Sequence, residues 1–478
     1  MNLKASAIAG VKWTSVSLII ATLIQFLQLS ILARYLRPDE FGIMAIIVVV
    51  IGFSQAFMDM GISKAIVQRQ DVTSNQLSSL YWLNVFSGCL LSIVVFATAP
   101  LLGSFYENND ISELIYKLSP VFLITAFGNQ YRVLCQKTLQ FNLLAFIDLT
   151  SAVLSFCVAI TLAVNGGGVD ALVYAMLTNA VSSSILLLFI GVRNYQRPKF
   201  RFNHSEVKSF YSFGFFQMGE RSINYVSANL DKMLIGKMIG LQSVGFYNMA
   251  WQLVAFPLAK INPVVNKVAF PIYSKIQNDN ALLNKYYSLS IRLLGLITVP
   301  ILIFLATYSN DVVFIVFGYG WEESASLVRL LAVIGIYKAL SNPGGALLLA
   351  LGRADIGFYW NVFWVTSIAG TLYFSILYFQ TVDAVCFALL LLNFTIGLIW
   401  HLIVAKVGKI HYFDIFVQIM KTVVSTGVIV LLSIVVVFLL HIETALMRVL
   451  IGGLFCVILY TMFVITFERS LLRLLKKE

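Results

Sequence analysis

The residues most able to do chemistry lie in one apolar stretch near the middle of the chain. Between Phe215 and Asp231 the polar side chains recur at steps of three and four residues. Side chains at this spacing share one face of an α-helix. An ionised group in hydrocarbon costs at least ~2.5–3.5 kcal/mol on insertion scales, so such groups normally face a partner or an aqueous pathway. The polar face consists of Gln217, Glu220, Arg221, Asn224, Ser227 and Asp231.

Two interpretations of this polar face stay open. In the first, it is an interhelical network in which Glu220 or Asp231 pairs with Arg221 or Lys232. In the second, it lines a water-filled cavity. The two interpretations are compatible, because an ion pair can act as a gate within a cavity.

The sequence motifs of common enzymes are missing from the chain. It has no GxxxxGK[ST] loop for nucleotide phosphates, no GxSxG elbow and no HExxH zinc motif. The five cysteines lie in apolar stretches without a CxxC motif, which indicates packing residues rather than disulfides or a zinc site. We therefore expect no catalytic residues, no cofactor and no metal, and we expect the protein not to be an enzyme.

Composition assigns the chain to the membrane. Of its 478 residues 59% are hydrophobic and 12% are charged, and the mean hydropathy is +0.88. In a typical soluble domain about half of the residues are hydrophobic and about a quarter are charged. A membrane-spanning helix needs about 20 apolar residues, and fourteen such segments predict an all-α polytopic membrane protein with fourteen transmembrane helices. The predicted spans are 12–33, 41–63, 78–102, 114–136, 142–164, 169–192, 208–231, 245–269, 282–306, 325–350, 355–379, 382–405, 413–440 and 444–467.

Lysine and arginine mark one side of the membrane. A net charge of +11 would suggest nucleic acid as the partner of a soluble protein, but here the bases concentrate in alternate loops. Lys and Arg accumulate in cytoplasmic loops, so both termini are predicted in the cytoplasm and no nucleic acid is expected. The first apolar run ends at Arg34 without a small-residue cleavage site, so it is predicted to be a retained span.

The chain contains an internal repeat. A shift of 203 residues aligns residues 32–42 with residues 235–245, so that Gly42 meets Gly245. Two like-oriented halves related by an axis along the membrane normal are a transporter architecture. We predict two six-helix bundles related by a pseudo-twofold axis, plus two C-terminal helices. The predicted domains are an N-terminal bundle (1–192), a basic cytoplasmic linker (193–207), a second bundle (208–406), and helices 13 and 14 with a basic cytoplasmic tail (407–478).

Other polar residues and one helix break are weaker signals. Five basic residues lie within or near spans, and each alone is expected to be an interface residue whose charged end reaches the membrane surface more often than a ligand in a cavity. They are Arg132, Lys260, Arg292, Arg329 and Lys338. Asp148 is an isolated acid in the fifth span. Residues 342–345, Asn-Pro-Gly-Gly, are either a hinge or a tolerated kink.

Two motifs resemble the polysaccharide transporter family. Residues 32–42, Leu-Ala-Arg-Tyr-Leu-Arg-Pro-Asp-Glu-Phe-Gly, followed by Met-Asp-Met-Gly-Ile at 58–62, look like its opening signature. Residues 230–237, Leu-Asp-Lys-Met-Leu-Ile-Gly-Lys, followed by Gly-Phe-Tyr at 245–247, look like the counterpart in the second half. This family includes the Wzx-type flippases of O-antigen, exopolysaccharide and teichuronic acid export. It belongs to the multidrug/oligosaccharidyl-lipid/polysaccharide exporter (MOP) superfamily.

The resemblance implies a flippase of the bacterial cytoplasmic (inner) membrane. Its substrate would be undecaprenyl-diphosphate-linked oligosaccharide repeat units, carried from the cytoplasmic to the outer leaflet by alternating access for O-antigen or exopolysaccharide export. The implied partners are this polyprenyl-diphosphate-linked oligosaccharide, membrane lipid and, as a further candidate, a polysaccharide polymerase.

The resemblance also suggests which residues would bind the substrate. Basic groups in a cavity would neutralise the diphosphate, and the other members of the polar face would contact the substrate beside them. The candidates are Arg34, Gln217, Glu220, Arg221, Asn224, Asp231, Lys232, Lys260 and Lys338. Asp59, Glu220 and Asp231 are candidate carriers of a coupling proton or sodium ion.

Two alternative functions remain. The first is an ion-coupled multidrug or small-molecule antiporter of the same superfamily, which the basic residues and the fourteen spans disfavour. The second is a membrane glycan ligase or polymerase, or a scaffold for one. The repeat and the lack of a large extracytoplasmic loop disfavour this class.

Overall fold

The computed structural model describes residues 3–58, 66–67, 71–203 and 222–468. Within these ranges every regular element is a helix. Lipid offers the backbone no hydrogen-bond partner, and a helix satisfies its backbone groups internally. The chain forms two compact units, Met1–Gly245 and Phe246–Glu478.

The first unit contains eight helices in its described part. Helix α6 packs against both α1 and α7, and α5 packs against α3 and α7. The helices are α1 (Leu3–Leu32), α2 (Pro38–Met58), α3 (Ser74–Phe105), α4 (Asn109–Leu118), α5 (Val121–Lys137), α6 (Phe141–Val164), α7 (Asp170–Asn194) and the described part of α8 (222–238).

The second unit contains eight further helices in its described part, the first of which begins just before the division. Helix α12 packs against α10 and α14, while α15 packs against α10 and α16. The helices are α9 (Leu241–Lys275), α10 (Asn280–Thr307), α11 (Ser309–Phe317), α12 (Glu322–Ala350), α13 (Ala354–Phe379), α14 (Val382–Gly408), α15 (Tyr412–Leu439) and α16 (Ala445–Phe467).

The prediction of an all-α polytopic membrane protein is confirmed. Twelve helical segments in the described part of the chain are long and apolar enough to cross a membrane, and α4 and α5 together form one of them. They coincide with twelve of the fourteen predicted spans. The first predicted span lies in α1, whose shorter apolar part is Val16–Leu32, and 222–231 of the seventh lies in α8. The predicted domain boundaries stay a prediction.

Local sequence sets where several helices begin. Thr73 and Gln76 form a capping box at the start of α3: the Thr73 hydroxyl accepts from the Gln76 N–H at 3.3 Å, and the Gln76 side chain accepts from the Thr73 N–H at 3.0 Å. The Asn108 side chain accepts from the N–H of Asp110 at 2.9 Å at the start of α4. Such caps satisfy backbone donors that the first helical turn leaves unpaired.

Polar side chains inside the first unit bond to the backbone of neighbouring helices. The Asn84 amide of α3 donates to the Ala126 carbonyl of α5 at 3.0 Å. In the opposite direction, the Gln130 amide of α5 donates to the Leu77 carbonyl of α3 at 2.8 Å. Each bond replaces one that water would supply outside a membrane, so the pair fixes how α3 and α5 pack.

Two glycines let the starts of α2 and α9 approach closely. A Cβ on Gly42 would overlap the carbonyl oxygen of Leu241, and one on Gly245 would overlap that of Pro38. The contact is reciprocal, because both Pro38 with Leu241 and Gly42 with Gly245 are pairs separated by 203 residues. The residues aligned by the repeat therefore touch each other, and only glycine fits at either position.

We expect Gly245→Ala to destabilise the first unit by about 1–3 kcal/mol, the usual cost of overpacking a closed contact. A matched control is Gly427→Ala in α15, where the added methyl group meets nothing within 4 Å. In thermal unfolding of the purified full-length protein, the midpoint temperature should fall for Gly245→Ala and stay unchanged for Gly427→Ala. Equal midpoints for the two variants would contradict the close approach.

Candidate functional site

The predicted site residues fall partly outside the described part of the chain. Asp59, Gln217, Glu220 and Arg221 lie outside the described residues. Six others are described and lie in both units: Arg34, Asn224, Asp231, Lys232, Lys260 and Lys338.

Helix α8 carries three of these residues. Asn224 is exposed, whereas Asp231 and Lys232 are half-buried. The Asp231 carboxylate accepts from the Lys232 backbone N–H at 2.8 Å. The helix packs against α2 through Tyr225, whose hydroxyl donates to the Val48 carbonyl at 3.1 Å. The polar residues of α8 are thus held on a helix that is itself anchored in the first unit.

Arg34 and its repeat counterpart Lys237 have different surroundings. Arg34 is exposed in the turn that follows α1, and its N–H donates to the Ile31 carbonyl at 3.0 Å. The Lys237 ammonium lies 2.7 Å from the carboxylate of Glu107, in the loop between α3 and α4. This ammonium holds the pKa of the Glu107 carboxyl below its ordinary value, through a hydrogen bond and then through charge. The pairing joins α8 to that loop.

Lys260 and Lys338 belong to the second unit. The Lys338 ammonium of α12 lies 4.4 Å from the ring centroid of Trp251 on α9, a cation–π contact. Lys260, also on α9, is half-buried and makes no hydrogen bond or ion pair within the described part of the chain. A half-buried cation without a partner remains available to an anionic ligand.

Three helices of the first unit meet at an ion pair that sequence reasoning missed. The Arg132 guanidinium of α5 lies 2.7 Å from the Asp148 carboxylate of α6 and donates to the Ser183 hydroxyl of α7 at 3.1 Å. Arg132 was expected to be a single interface residue, but it pairs within the protein. A signal was present: α5 and α6 are consecutive, and both residues lie within two turns of their connection.

A hydrogen-bonded chain in the second unit was also missed. His401 contacts the Ser341 hydroxyl at 3.3 Å through Nε2 and the Tyr412 hydroxyl at 3.0 Å through Nδ1. The Tyr412 hydroxyl lies 2.7 Å from that of Tyr287. The chain links α10, α12, α14 and α15. His401 looks isolated in the sequence because these helices meet only in the fold.

The Asn-Pro-Gly-Gly segment at 342–345 lies inside a helix. Helix α12 continues through Pro343, and the Asn342 side-chain oxygen accepts from the Asn266 amide of α9 at 2.6 Å. Proline removes one backbone hydrogen bond from a helix. The segment is therefore held by a neighbouring helix at the point where the backbone is weakest.

Solved structures with this fold are transporters. The chain matches the inward closed conformation of the lipid II flippase MurJ with a TM-score of 0.73 and 14% identity, over 94% of this chain and 98% of that one. It also matches an inward-facing multidrug resistance MATE family transporter of the MOP superfamily with a TM-score of 0.64 and 14% identity. This match covers 83% of the present chain and 99% of the transporter. The chain therefore has the fold of these two transporters.

Sequence relatives narrow the class. The model of a family described as "Polysaccharide biosynthesis protein" matches residues 31–326. The teichuronic acid biosynthesis protein TuaB of Bacillus subtilis is 35% identical over 88% of this chain and 86% of its own length. The lipopolysaccharide biosynthesis protein WzxC of Escherichia coli is 31% identical over 76% of this chain and 74% of its own length. The chain belongs to this polysaccharide biosynthesis protein family, which confirms the resemblance seen in its motifs.

We expect Arg132→Ala to destabilise the first unit because it leaves the Asp148 carboxylate without its cation. The side chains of Arg132 and Asp148 are 31% and 46% exposed, so the expected cost is about 1–3 kcal/mol, less than the ~3–5 kcal/mol for a fully buried pair.

A double-mutant cycle measures the coupling directly. Combining Arg132→Ala with Asp148→Ala should recover part of the loss, because no unpaired charge remains. Unfolding of the two single variants and the double variant gives the coupling free energy. Strictly additive effects would show that the ion pair is not coupled.

Proposed function

We propose that this chain is a flippase for lipid-linked oligosaccharides, moving undecaprenyl-diphosphate-linked repeat units from the cytoplasmic to the outer leaflet for export of a cell-surface polysaccharide. One observation carries the proposal: a chain of the polysaccharide biosynthesis protein family has the fold of a lipid II flippase over 94% of its length. The MATE transporter covers less of the chain, 83%, so the flippase is favoured over the antiporter.

The substrate explains why such a protein is needed. A sugar head group and a diphosphate cannot cross hydrocarbon unaided, because each unpaired polar group costs several kcal/mol there. A hydrated cavity between two six-helix bundles removes that cost, and alternating access exposes it to one leaflet at a time. The polyprenyl tail stays in lipid throughout.

Basic residues would bind the diphosphate. Lys260 is the strongest candidate among the described residues, since it lies half-buried in a membrane-spanning helix without a hydrogen bond or ion pair in the described part of the chain. Lys338, Lys232 and Arg34 are further candidates, as is Arg221. A diphosphate accepts charge-assisted hydrogen bonds from such groups.

The energy source would be an ion gradient or consumption of the flipped product, because the sequence carries no nucleotide-binding motif. Asp59, Glu220 and Asp231 are the proposed carriers of a proton or sodium ion. We further propose that the protein lies in the bacterial inner membrane with both termini in the cytoplasm, and that a polysaccharide polymerase receives the flipped unit.

Deletion of the gene in the native host tests the function. We expect undecaprenyl-linked repeat units to accumulate facing the cytoplasm and the surface glycan to be lost. Sealed vesicles of known orientation are treated with an added glycosidase, and the lipid-linked intermediates are then extracted to see which leaflet was accessible. Unchanged surface glycan with increased sensitivity to cationic dyes would instead identify the antiporter.

Lys260→Gln tests the proposed binding role in the deleted strain. Loss of one charge-assisted contact should lower export about tenfold. The matched control is Lys406→Gln, an exposed lysine at the end of α14, which should restore export fully. A fluorescent fusion reports the amount of each variant in the membrane. Normal export by Lys260→Gln would remove this lysine from the site without affecting the flippase proposal.

A further inference from the structure

A cleft of about 190 Å³ with a mixed polar and apolar lining lies between α10 and α15 in the second unit. It is smaller than the ~300–1,000 Å³ of a drug-sized ligand pocket, so it suits a head group rather than a whole lipid. Its polar walls are formed by Lys285, Ser288 and Arg292 of α10 and by Asp414 and Gln418 of α15.

Arg292 forms the deep end of the cleft. One of its guanidinium nitrogens pairs with the carboxylate of Glu468, which is 3% exposed and also lies 3.9 Å from the Lys421 ammonium. The Arg292 Nε is buried and has no hydrogen-bond partner among the residues that the structure describes. A guanidinium with one donor unused in a buried position favours a further anionic acceptor.

We infer the depth of Arg292 in the membrane from the position of Glu468. Helix α16 has 23 residues, about 35 Å, which is just enough to cross a hydrocarbon core of about 30 Å. Glu468 follows the last residue of α16, so its ion pair places Arg292 at the edge of the hydrocarbon. Lys285 is seven residues earlier on α10, about 10 Å further out.

The mouth of the cleft carries one charge of each sign. Lys285 and Asp414 are exposed at the starts of α10 and α15, and neither forms an ion pair within the described part of the chain. The Ser288 hydroxyl lies between the mouth and Arg292 and likewise has no hydrogen bond there. The cleft thus has the Arg292 guanidinium and a hydroxyl at the depth of lipid phosphates, and a lysine and a carboxylate further out.

A membrane lipid is the source of ligand that the surroundings favour. Next to Asp414, the side chains of Phe413 and Phe416 on α15 are 77% and 58% exposed, in a helix long and apolar enough to cross the membrane. Exposed apolar side chains on such a helix mark a surface that meets membrane lipid. In a phospholipid the phosphate lies nearer the acyl chains than the terminal amine does, which is the order of charges in the cleft.

We propose that this cleft binds the zwitterionic head group of an aminophospholipid, with the phosphate between Arg292, Ser288 and Lys285 and the primary amine on Asp414. The bound lipid would join α10 to α15, one of the two C-terminal helices. The binding is separate from transport, because the cleft contains none of the proposed substrate-binding residues.

The test measures the binding of lipids to the delipidated full-length protein by native mass spectrometry. We expect phosphatidylethanolamine to bind about tenfold more tightly than phosphatidylglycerol, which lacks the amine, and than phosphatidylcholine, whose amine has no N–H to donate. Asp414→Asn should lower the affinity for phosphatidylethanolamine to that for phosphatidylglycerol. Lys285→Gln should weaken both lipids, and the matched control Lys406→Gln should weaken neither. Arg292 is left intact because it also holds Glu468.

Three results would overturn the proposal. Equal affinity for phosphatidylethanolamine and phosphatidylglycerol, unchanged by Asp414→Asn, would show a site for phosphate alone. Competition by soluble glycerophosphoethanolamine at the same concentration as the lipid would identify a soluble ligand instead. Binding that is unchanged in Lys285→Gln would place the lipid elsewhere on the protein.

Discussion

Inside a bilayer, a polar group has no water to bond with, and this constraint determines most of what is described above. It requires helices, because only they satisfy the backbone within a single segment. It also requires that polar side chains find partners on neighbouring helices. The amides of Asn84 and Gln130, each bonded to a carbonyl of the opposite helix, are direct results of it. These bonds specify packing that apolar surfaces alone would leave free to slide.

The same constraint separates structural charges from functional ones. Two ion pairs neutralise their own charges and so contribute to the architecture of their units. They are Arg132 with Asp148 in the first unit and Arg448 with Asp311, at 2.6 Å, in the second. Lys260 has no such partner in the described part of the chain. A charge that the protein keeps half-buried without a partner has a cost in stability, and binding of an anionic substrate would offset that cost.

The sequence predicts the helices well because a span is a local property. Twenty apolar residues in a row identify one, and the predicted spans coincide with helices throughout the described ranges. Partners across helices are a different matter. Arg292 meets Glu468 176 residues later, and nothing near either residue indicates the other. Arg132 and Asp148 could have been paired by counting turns from their connection, whereas the chain through His401 depends on four helices meeting.

The contact of Gly42 with Gly245 also bears on how the two aligned segments can vary. Gly42 and Gly245 are equivalent positions of the repeat, and they touch each other. In a dimer of two identical chains, the same contact would join one residue to its own copy beside the twofold axis. In such a homodimer every mutation at that point appears twice in the same place. Within one chain the two positions could diverge independently, yet each glycine here is confined by the carbonyl at the start of the opposite helix. The two aligned segments therefore share one steric requirement, and a change at either position is felt by both.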